Sequence, residues 1–371
     1  MTIDVRVNGY SLKQMIAGPP AIKDTVDAIC RTLDLQIQDS PEVGALLGKE
    51  IELWYNNACW YHGYIQRRGV TVKGNVTLTA YDGLFFLGKN TDDFYFTNQT
   101  ANQALATLCK KSDVAVASFV STGAVFPALW YPGKVAAVVA EDLLARTLAA
   151  NGRKFWLRWD PVKKGANLFE RTKPKEAWSF LSGVNLTDAS YEENVEEMYN
   201  VVKLVNRETG KVVTKTSADS VKAYHKRQHF EEVDKDAAKN MEKIAAQKLA
   251  EVSKVAVTMS VSGINPNKIM PQLFTGDVVY IEERVTKIVG AYYIKNITQT
   301  FTNDNLVEIA MDVQHAPEVP VIQVDDANKK PDFLKTKAEK EAESKKKKAQ
   351  SKAKKVAEKA KKTDTTSTTK K

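Results

Sequence analysis

The sequence predicts an α+β protein that is mainly β, and three features support this. Alternating apolar and polar residues, interrupted by Gly, Asn and Lys-Gly turns, fill residues 1–88 and return from about Asn185. The segment between them changes to the apolar spacing of helices. One hairpin pattern also occurs twice, beginning at Gly48 and again at Gly276. With 371 residues and 43% hydrophobic content, the chain is long enough for two or three globular domains.

Residues 1–88 are predicted to form the first antiparallel β domain. Its alternating runs are Ile3 to Val7, Ile51 to Tyr55, Tyr61 to Gln66 and Val76 to Tyr81. Short strands separated by turn residues are typical of either a barrel or a sandwich, and the pattern leaves both open.

Residues 89–185 are predicted to form a separate α+β domain that begins with a helix in TANQALATLCKKSDV. Thr100 and Gln103 have the spacing of a capping box, which begins many helices. The residues expected to be buried on this helix are Ala101, Ala104, Leu105, Leu108 and Cys109.

A second helix is predicted from about Lys134 to Ala150, and Asn151-Gly152 can end it because both residues tolerate a left-handed conformation. Its expected apolar face consists of Val135, Val138, Val139, Leu143, Leu144 and Leu148. The strands RKFWLRWD and ANLFERT should then form a hairpin around the turn from Pro161 to Gly165.

Residues 186–324 are predicted to form a second β domain with a helical insertion near residues 215–252. Strands are expected in EEMYNVVKLVNRETGKVV and again in VAVTMSVSG. Between them, a polar helix near Ala237 to Val252 should bury one narrow stripe. The residues of that stripe are Met241, Ile244, Ala245, Leu249 and Val252.

The repeated pattern links the two β domains. GKEIELWYNNACWYHGYIQRRG begins at Gly48, and GDVVYIEERVTKIVGAYYIKNITQTF begins at Gly276. Each has a strand, a polar turn and a second glycine before Tyr and Ile, which places Gly63 opposite Gly290 in the comparison. The sequence therefore predicts that residues 48–82 and 276–313 fold as superimposable hairpins.

The net charge of +9 is concentrated at the C-terminus. Residues 329–371 contain 17 lysines and 6 acidic residues, a net charge of +11, which leaves −2 for residues 1–328. The only large apolar residue between Lys335 and Lys371 is Val356, so residues 325–371 are predicted to be a disordered Lys-rich tail. Whether this tail neutralises phosphates or only aids solubility stays open.

No segment predicts a catalytic, cofactor or metal site. His225 and His229 have i, i+4 spacing, but Lys226 and Arg227 follow the first histidine, so a solvated polar helix is favoured over a metal site. Asp92-Asp93 and Glu192-Glu193 are adjacent pairs of the kind found on solvated faces. The three widely spaced cysteines, Cys30, Cys59 and Cys109, are interpreted as small core residues.

A cluster of aromatic residues in the first hairpin supports a competing hypothesis. These residues are Trp54, Tyr55, Trp60, Tyr61 and Tyr64. They could stack on single-stranded bases, as in oligonucleotide-binding barrels, with Arg67-Arg68 as the nearest basic pair. Cross-strand packing or subunit contact is favoured, because a stacking surface of this kind needs a basic groove and strand aromatics usually pack on each other.

The order of elements resembles that of phage-tail baseplate hub proteins of the XkdQ/YqbQ, or late control D, type. The resemblance is carried by LTAYDGLFFLGKNTDDFYFTNQTANQALATLCKKSDV, AEDLLARTLAANGRKFWLRWD, VNLTDASYEENVEEMYNVVKLV and GAYYIKNITQTFTNDNLVEIAMDV, and it covers about residues 1–315. Two features depart from the family pattern. His225 stands where a glycine is expected after VKAY, and the Lys-rich tail has no counterpart.

The resemblance implies two tail-tube-like antiparallel β-barrel domains, with the α+β domain inserted and the basic tail appended. It implies a non-enzymatic homotrimer without cofactors, located in the virion baseplate and assembled in the bacterial host cytoplasm. Such a hub adapts the hexameric tail tube to the trimeric central spike, and the tape measure protein is a further candidate partner. No signal peptide or apolar run of about 18 residues is present, so no membrane partner is expected.

Two other functions remain as alternatives. One is a nucleic-acid-binding protein with oligonucleotide-binding-like barrels and a basic C-terminal arm, against which the charge of −2 on residues 1–328 argues. The other is a cell-wall hydrolase, which a zymogram would reveal.

Overall fold

The computed structural model describes residues 3–39, 46–72, 74–171, 176–233, 240–265, 271–302 and 306–315. The predicted tail, residues 325–371, lies outside this part of the chain. Contacts divide the described residues into two compact units. One contains those of Met1–Tyr81 and Lys173–Glu318, and the other contains those of Asp82–Thr172.

The first 81 residues supply strands to one large sheet. These strands are β1 (Ile3–Val7), β2 (Tyr10–Ser11), β3 (Ile16–Thr25), β4 (Thr32–Gln38), β5 (Glu50–Tyr55), β6 (Ala58–Val70) and β7 (Asn75–Tyr81). The four predicted runs correspond to β1, β5, β6 and β7 and are confirmed. A short 3-10 turn, Lys13–Met15, precedes β3.

The central segment begins with a 3-10 helix, Gly83–Lys89, and contains five strands and two helices in its described residues. The elements are β8 (Thr91–Thr100), α1 (Ala101–Lys111), β9 (Val116–Phe119), β10 (Val125–Val135), α2 (Ala136–Asn151), β11 (Phe155–Asp160) and β12 (Gly165–Glu170). β8 and β10 pair antiparallel, whereas β12 pairs antiparallel with β11 and parallel with β9.

The first predicted helix is confirmed in detail. The backbone N–H of Thr100 donates to Gln103 Oε1 at 2.9 Å, which satisfies a donor at the start of α1. The buried residues of α1 are the five predicted ones, Ala101, Ala104, Leu105, Leu108 and Cys109. The predicted hairpin around Pro161 to Gly165 is also present, as β11 and β12.

The second helix forms where predicted and ends at Gly152 with φ +72°, but its predicted apolar face is partly wrong. Val135 precedes the helix, and Val135, Val138, Leu144 and Leu148 are only half-buried. The buried residues are instead Ala136, Val139, Ala140, Asp142, Leu143 and Thr147. The buried stripe is therefore rotated towards smaller and more polar residues, one of which is a carboxylate.

Asp142 is buried because its carboxylate has two partners. Tyr131 on β10 donates its hydroxyl hydrogen to Asp142 Oδ2 at 2.6 Å. Arg146 on α2 donates through Nε to the same oxygen at 2.5 Å. Burial, reinforced by the hydrogen bond to Asp142, raises the pKa of Tyr131, so the hydroxyl keeps the proton that it donates.

Close packing against Trp159 requires glycine at position 83. A Cβ atom at Gly83 would overlap the indole ring of Trp159, which is 4% exposed and has little room to move. We expect Gly83→Ala to lower the free energy of unfolding by about 1–3 kcal/mol. A Cβ atom at Gly88 of the same 3-10 helix would have no atom within 4 Å, so Gly88→Ala is the matched control for denaturant unfolding. Equal stability of the two variants would contradict this packing.

The last segment returns to strands, interrupted by two helices in its described residues. The elements are β13 (Glu176–Leu181), β14 (Leu186–Asn194), β15 (Val201–Asn206), β16 (Lys211–Thr216), α3 (Ala218–Tyr224), β17 (Gln228–Glu232), α4 (Met241–Val252), β18 (Ala256–Ile264), β19 (Val278–Glu283), β20 (Ile288–Phe301) and β21 (Val307–Gln314).

β15, β16 and β17 form a small separate sheet against which α4 packs. Met241 and Ala245 are buried against Val202, Leu204 and Val213, and Ile244, Leu249 and Val252 pack around them half-buried. The predicted stripe of the polar helix is confirmed. Its predicted beginning, from Ala237 to Lys239, lies outside the described residues.

The prediction of a polar helix through His225 and His229 is wrong. α3 ends at Tyr224, and His229 lies on β17, which pairs parallel with β15. His229 Nε2 lies 3.2 Å from Glu231 Oε2. Among the described residues there is no group of three or more His, Cys, Asp or Glu that could hold a metal.

His225 has a backbone conformation that suits glycine, with φ +60° and ψ 168°. The turn is held by Asn200, whose Nδ2 donates to the His225 carbonyl at 2.7 Å. Non-glycine residues in this region of φ/ψ space cost about 1–3 kcal/mol. We therefore expect His225→Gly to raise the free energy of unfolding by about 1 kcal/mol or more, measured by thermal and urea unfolding. His225→Ala keeps the strain and should give no gain; a gain of the same size would contradict the argument.

The strands of the first compact unit, apart from β15 to β17, form one sheet. Its hydrogen-bonded order is β14-β18-β21-β20-β3-β4-β7-β6-β5-β1-β2, and β19 pairs with both β20 and β13. The pairings among the described residues do not close a barrel. None of the helices in the described part of the chain has the length and apolar character needed to cross a membrane.

Candidate assembly surface

Twelve of the thirteen strands of the large sheet, all except β2, form two sets of six with corresponding order. Module A is defined as β1-β5-β6-β7-β4-β3, and module B as β13-β19-β20-β21-β18-β14, each in hydrogen-bonded order. Each module contains a three-strand antiparallel meander, β5-β6-β7 in module A and β19-β20-β21 in module B. Two further antiparallel strands extend each meander, β4 and β3 in module A and β18 and β14 in module B. The first strand differs, because β1 is antiparallel to β5 whereas β13 is parallel to β19.

The two repeated glycines make the same backbone contacts. The N–H of Gly48 donates to the Ile65 carbonyl at 2.7 Å, and the N–H of Gly276 donates to the Ile294 carbonyl at 2.7 Å. Each isoleucine N–H donates back to the residue after its glycine, at 3.0 Å in module A and 2.9 Å in module B. Ile65 and Ile294 are therefore equivalent positions of β6 and β20.

The correspondence extends to an irregularity in the long central strand. β6 and β7 shift register between Ile65 and Arg67, and β20 and β21 shift between Ile294 and Asn296. Arg67 is thus equivalent to Asn296. Thr79 on β7 lies opposite Arg67, and Asp312 on β21 lies opposite Asn296, so these two residues are equivalent as well. Thr79 donates to Asp34 on β4 at 2.9 Å, and Ser260 on β18 donates to Asp312 at 2.6 Å. A hydroxyl–carboxylate pair joins the equivalent strands, with donor and acceptor exchanged.

The expected equivalence of Gly63 and Gly290 is wrong. Ile51 is opposite Gly63 in module A, but the equivalent Val279 is opposite Tyr292 in module B. The length of the turn and a bulge together cause this difference, because β5 and β6 shift register between Leu53 and Trp54 whereas β19 and β20 do not shift. β5 and β6 are joined by Asn56 and Asn57 alone, both with positive φ, as a two-residue hairpin turn requires, whereas four residues join β19 and β20.

The modules are joined within the chain by antiparallel pairing of β3 with the second half of β20. Thr25 lies opposite Asn296 and donates to its Oδ1 at 2.6 Å. Asp24 Oδ2, nearly buried, accepts hydrogen bonds from the N–H and hydroxyl of Thr275, at 3.0 and 3.1 Å. We refer to this pairing as the intrachain joint.

Three aromatic rings from the two modules pack together at the end of β20. The rings of Tyr55, Trp60 and Phe301 pack edge to face, with centroid separations of 5.2 to 5.5 Å. The side-chain amide of Gln272 donates to the Trp60 carbonyl at 2.6 Å. Burial of the Tyr55 side chain raises the pKa of its hydroxyl. These aromatic residues therefore connect module A to module B.

This packing decides between the two interpretations of the aromatic cluster. Tyr55, Trp60 and Tyr61 are at most 6% exposed and cannot stack on bases. Trp54 is half-buried, and the Arg6 guanidinium lies over its ring at 4.9 Å. Tyr64 is also half-buried, and its ring packs edge to face on His62 with a centroid separation of 5.6 Å. The predicted packing role is confirmed, and the stacking surface is not formed by these residues.

The adjacent acidic residues serve different roles. Asp92 pairs with Lys111 at 2.6 Å, which lowers the pKa of Asp92, and Asp93 accepts a hydrogen bond from the N–H of Gly133 at 2.7 Å. Glu192 and Glu193 are exposed on β14. None of these carboxylates forms a pair of the kind used for acid–base catalysis.

The cysteines differ in accessibility, which gives a testable prediction. Cys59 and Cys109 are buried and Cys30 is half-buried; burial raises the pKa of Cys109 to about 12. Because the thiolate is the reactive form, iodoacetamide at pH 8 should label native protein at Cys30 only and unfolded protein at all three cysteines. Intact mass measurement counts the adducts, and Cys30→Ser should remove the native one. Native labelling of Cys109 at the rate of Cys30 would be inconsistent with this structure.

Comparison with known proteins shows which family and which solved fold this chain is similar to. A model of the YQBQ-like family matches residues 21–313. Two Bacillus subtilis (strain 168) proteins are each 26% identical to the chain. The uncharacterized protein YqbQ aligns over 64% of this chain and 76% of its own length. The phage-like element PBSX protein XkdQ aligns over 59% and 67%. The prophage MuSo2 43 kDa tail protein from Shewanella oneidensis is 12% identical and has the same fold, with a TM-score of 0.62 over 84% of this chain and 98% of its own.

Proposed function

We propose that this chain, which belongs to the YQBQ-like family, is the structural hub of a contractile phage-tail baseplate. In this proposal it is a homotrimer in the virion, assembled in the bacterial host cytoplasm, that adapts the hexameric tail tube to the trimeric central spike. It has no enzymatic activity, and the tape measure protein is a further candidate partner. Its relative XkdQ is a protein of a phage-like element, and the fold is also found in a prophage tail protein.

The observation that carries the proposal is the pair of corresponding modules in one chain. A protein between a six-fold tube and a three-fold spike must present six similar edges on one side and three copies on the other. Three chains with two modules each provide both numbers. The modules need only similar outer edges, which fits a pair that shares its strand order and bulge but differs in its turns and first strand.

The proposal includes a domain division. Residues 1–88 and 186–324 would supply the two tube-like barrel domains, residues 89–185 the inserted α+β domain, and residues 325–371 the Lys-rich tail. The strand β13, near the end of the inserted segment, would belong to the second barrel domain, because it pairs with β19 of module B. Each barrel would be completed by pairing between neighbouring modules, and modules A and B would be related by roughly 60° about the axis of the trimer.

Mass and symmetry test this proposal together. We expect native mass spectrometry of the full chain to show a trimer, and mixing with tail tube and spike proteins to give a complex with six tube subunits for three copies of this chain. Rotational averaging of electron micrographs should show six-fold features on the tube side. A stable subunit count other than three, with or without the two partners, would refute the hub.

The basic tail supports a second candidate function, binding of nucleic acid. Residues 329–371 carry +11 and the remainder carries −2, so any DNA binding by the tail should be salt-dependent and should vanish when the chain is truncated after residue 328. Electrophoretic mobility shifts of both forms measure this. Binding that survives truncation would favour a nucleic-acid-binding body over a hub.

A further inference from the structure

We propose that neighbouring copies of the chain join by antiparallel pairing of β14 of one copy with the second half of β6 of the next. This inference rests on the proposed trimer and names the strands that hold it together. Its basis is the intrachain joint, in which the edge strand of module A, β3, pairs with the second half of the central strand of module B, β20. The same joint can be built once more, between the edge strand of module B and the central strand of module A.

Both strands have an edge without a strand partner in the described part of the chain. β14 pairs only with β18 along its length, apart from a single bridge at Leu186. β6 pairs with β5 only as far as Tyr64, so that its residues from Arg67 to Val70 have a strand partner only on the β7 side. An open strand edge of this kind is a template for pairing with another chain.

The intrachain joint fixes the register that the second joint should have. Arg67 is equivalent to Asn296, which lies opposite Thr25. Ala21 lies opposite Asp34 on β4, and Ser190 lies opposite Ser260 on β18. Asp34 and Ser260 are equivalent through the hydroxyl–carboxylate pairs. Ala21 on β3 and Ser190 on β14 are therefore equivalent. Three residues further along each strand, Asp24 is equivalent to Glu193, and the next residues, Thr25 and Asn194, are equivalent as well.

In this register, opposite charges meet. Asn194 lies opposite Arg67, Glu193 opposite Arg68, Glu192 opposite Gly69, and Tyr191 opposite Val70. Glu193 and Arg68 lie directly opposite each other on one face of the two strands. On the other face, Glu192 lies opposite Gly69 and diagonally across from Arg67. Side chains at the joint are accessible in the single chain: Arg67, Arg68, Glu192 and Glu193 are exposed, and Tyr191 and Val70 are 44% and 54% exposed. Within the chain, Arg68 Nη2 lies 3.5 Å from Asp39 Oδ1, and the Tyr191 hydroxyl donates to Glu193 Oε1 at 2.7 Å. In the joint, Arg68 would have Glu193 as an acidic partner beside Asp39. The joint would therefore pair two acidic with two basic residues and cover an apolar contact.

The intrachain joint also provides a precedent for the acidic residue. Asp24 reaches from β3 to the N–H of Thr275, the residue before Gly276. Glu193 occupies the equivalent position of β14, and the residue before the equivalent Gly48 is Leu47, which is 57% exposed. A carboxylate at this position of the edge strand can thus contact the neighbouring module in either joint. Repeated head-to-tail, the pairing closes a ring when the third copy meets the first.

Cysteine trapping tests the pairing and its register. Glu193→Cys combined with Arg68→Cys should form disulfides between chains under mild oxidation, because directly opposite residues lie within disulfide range. A closed covalent trimer is expected on a non-reducing gel. Glu193→Cys combined with Val70→Cys is the matched control: the two positions are diagonal, and cross-linking should be several-fold lower.

Charge reversal tests the joint without a covalent bond. Glu192→Lys with Glu193→Lys should weaken association at least about tenfold, because like charges then face each other across the strands. Glu196→Lys with Glu197→Lys changes the net charge equally just beyond β14, on exposed residues, and should leave association unchanged. Native mass spectrometry and concentration-dependent light scattering measure both.

The outcomes separate this inference from the hub proposal. A wild-type trimer in which the first cysteine pair does not cross-link and charge reversal has no effect would overturn the β14–β6 joint and leave the trimer standing. Cross-linking of the control pair at an equal rate would overturn the register. A wild-type chain that stays monomeric with no cross-link in any variant would overturn both.

Discussion

Replacing Asp142 with alanine is expected to lower the free energy of unfolding by about 3–5 kcal/mol, the cost of breaking a buried charged network. The Asp142 carboxylate is 1% exposed and accepts from the Tyr131 hydroxyl at 2.6 Å and from Arg146 Nε at 2.5 Å. Without it, the fully buried Tyr131 hydroxyl and the mostly buried Arg146 guanidinium lose the hydrogen bonds that they donate to this carboxylate. Denaturant unfolding of the full chain, followed by circular dichroism, measures the loss.

The control for this prediction is a carboxylate–cation pair in the same compact unit that stays in water. Asp92 and Lys111 are 2.6 Å apart, but both side chains are about half exposed. Asp92→Ala should therefore leave stability nearly unchanged, because exposed ion pairs contribute little. Tyr131→Phe, which removes one donor and keeps the ion pair, should fall between the two. A loss for Asp142→Ala no larger than that for Asp92→Ala would contradict the buried network.

Local patterns in the sequence predicted most elements because the information for them is local. The capping box at Thr100 and Gln103 and the apolar residues of α1 lie within a single helix, and the structure matches them residue by residue. The repeated glycines at positions 48 and 276 likewise mark a turn that needs glycine in each module. Both have positive φ, at +76° and +77°.

Errors occurred where a distant partner decides the structure. Hydropathy patterns assign charged residues such as Asp142 to the surface. Its burial depends on a hydrogen bond from Tyr131, which lies on another element and therefore cannot be found from the spacing within α2. The segment after His225 was assigned to a helix, but β15 offers an edge that takes β17 as a parallel strand. Tertiary pairing there overrides local spacing.

The candidate surface was predictable only in part. The sequence showed that a hairpin is repeated, and this pointed to two modules. It could not show the register, since the turn lengths and one bulge shift Gly63 and Gly290 out of correspondence. Nor could it show the intrachain joint, because contacts such as Thr25 with Asn296 join residues far apart in the chain. The apposition of Glu192-Glu193 with Arg67-Arg68 follows only once that joint is known.

The intrachain joint should depend on Phe301. Its ring is fully buried at the end of β20, with ring centroids 5.4 Å from Tyr55 and 5.5 Å from Trp60 of module A. Phe301→Ala leaves a cavity between the modules and is expected to lower the free energy of unfolding by about 3–5 kcal/mol. Thermal and denaturant unfolding measure this. Phe230→Ala is the matched control, since Phe230 also lies on a strand of the same compact unit but is 51% exposed.

A double-mutant cycle shows whether the loss arises at the joint or only from a smaller core. Trp60 packs edge to face on Phe301, and aromatic pairs of this kind contribute about 0.5–1.5 kcal/mol beyond their buried area. The losses for Phe301→Ala and Trp60→Ala should therefore fail to add by about that amount, whereas Phe301→Ala and Phe230→Ala should add. Additive losses at Phe301 and Trp60 would mean that this ring contact does not couple the two modules, and that the strand pairing and hydrogen bonds of the intrachain joint hold them together without it.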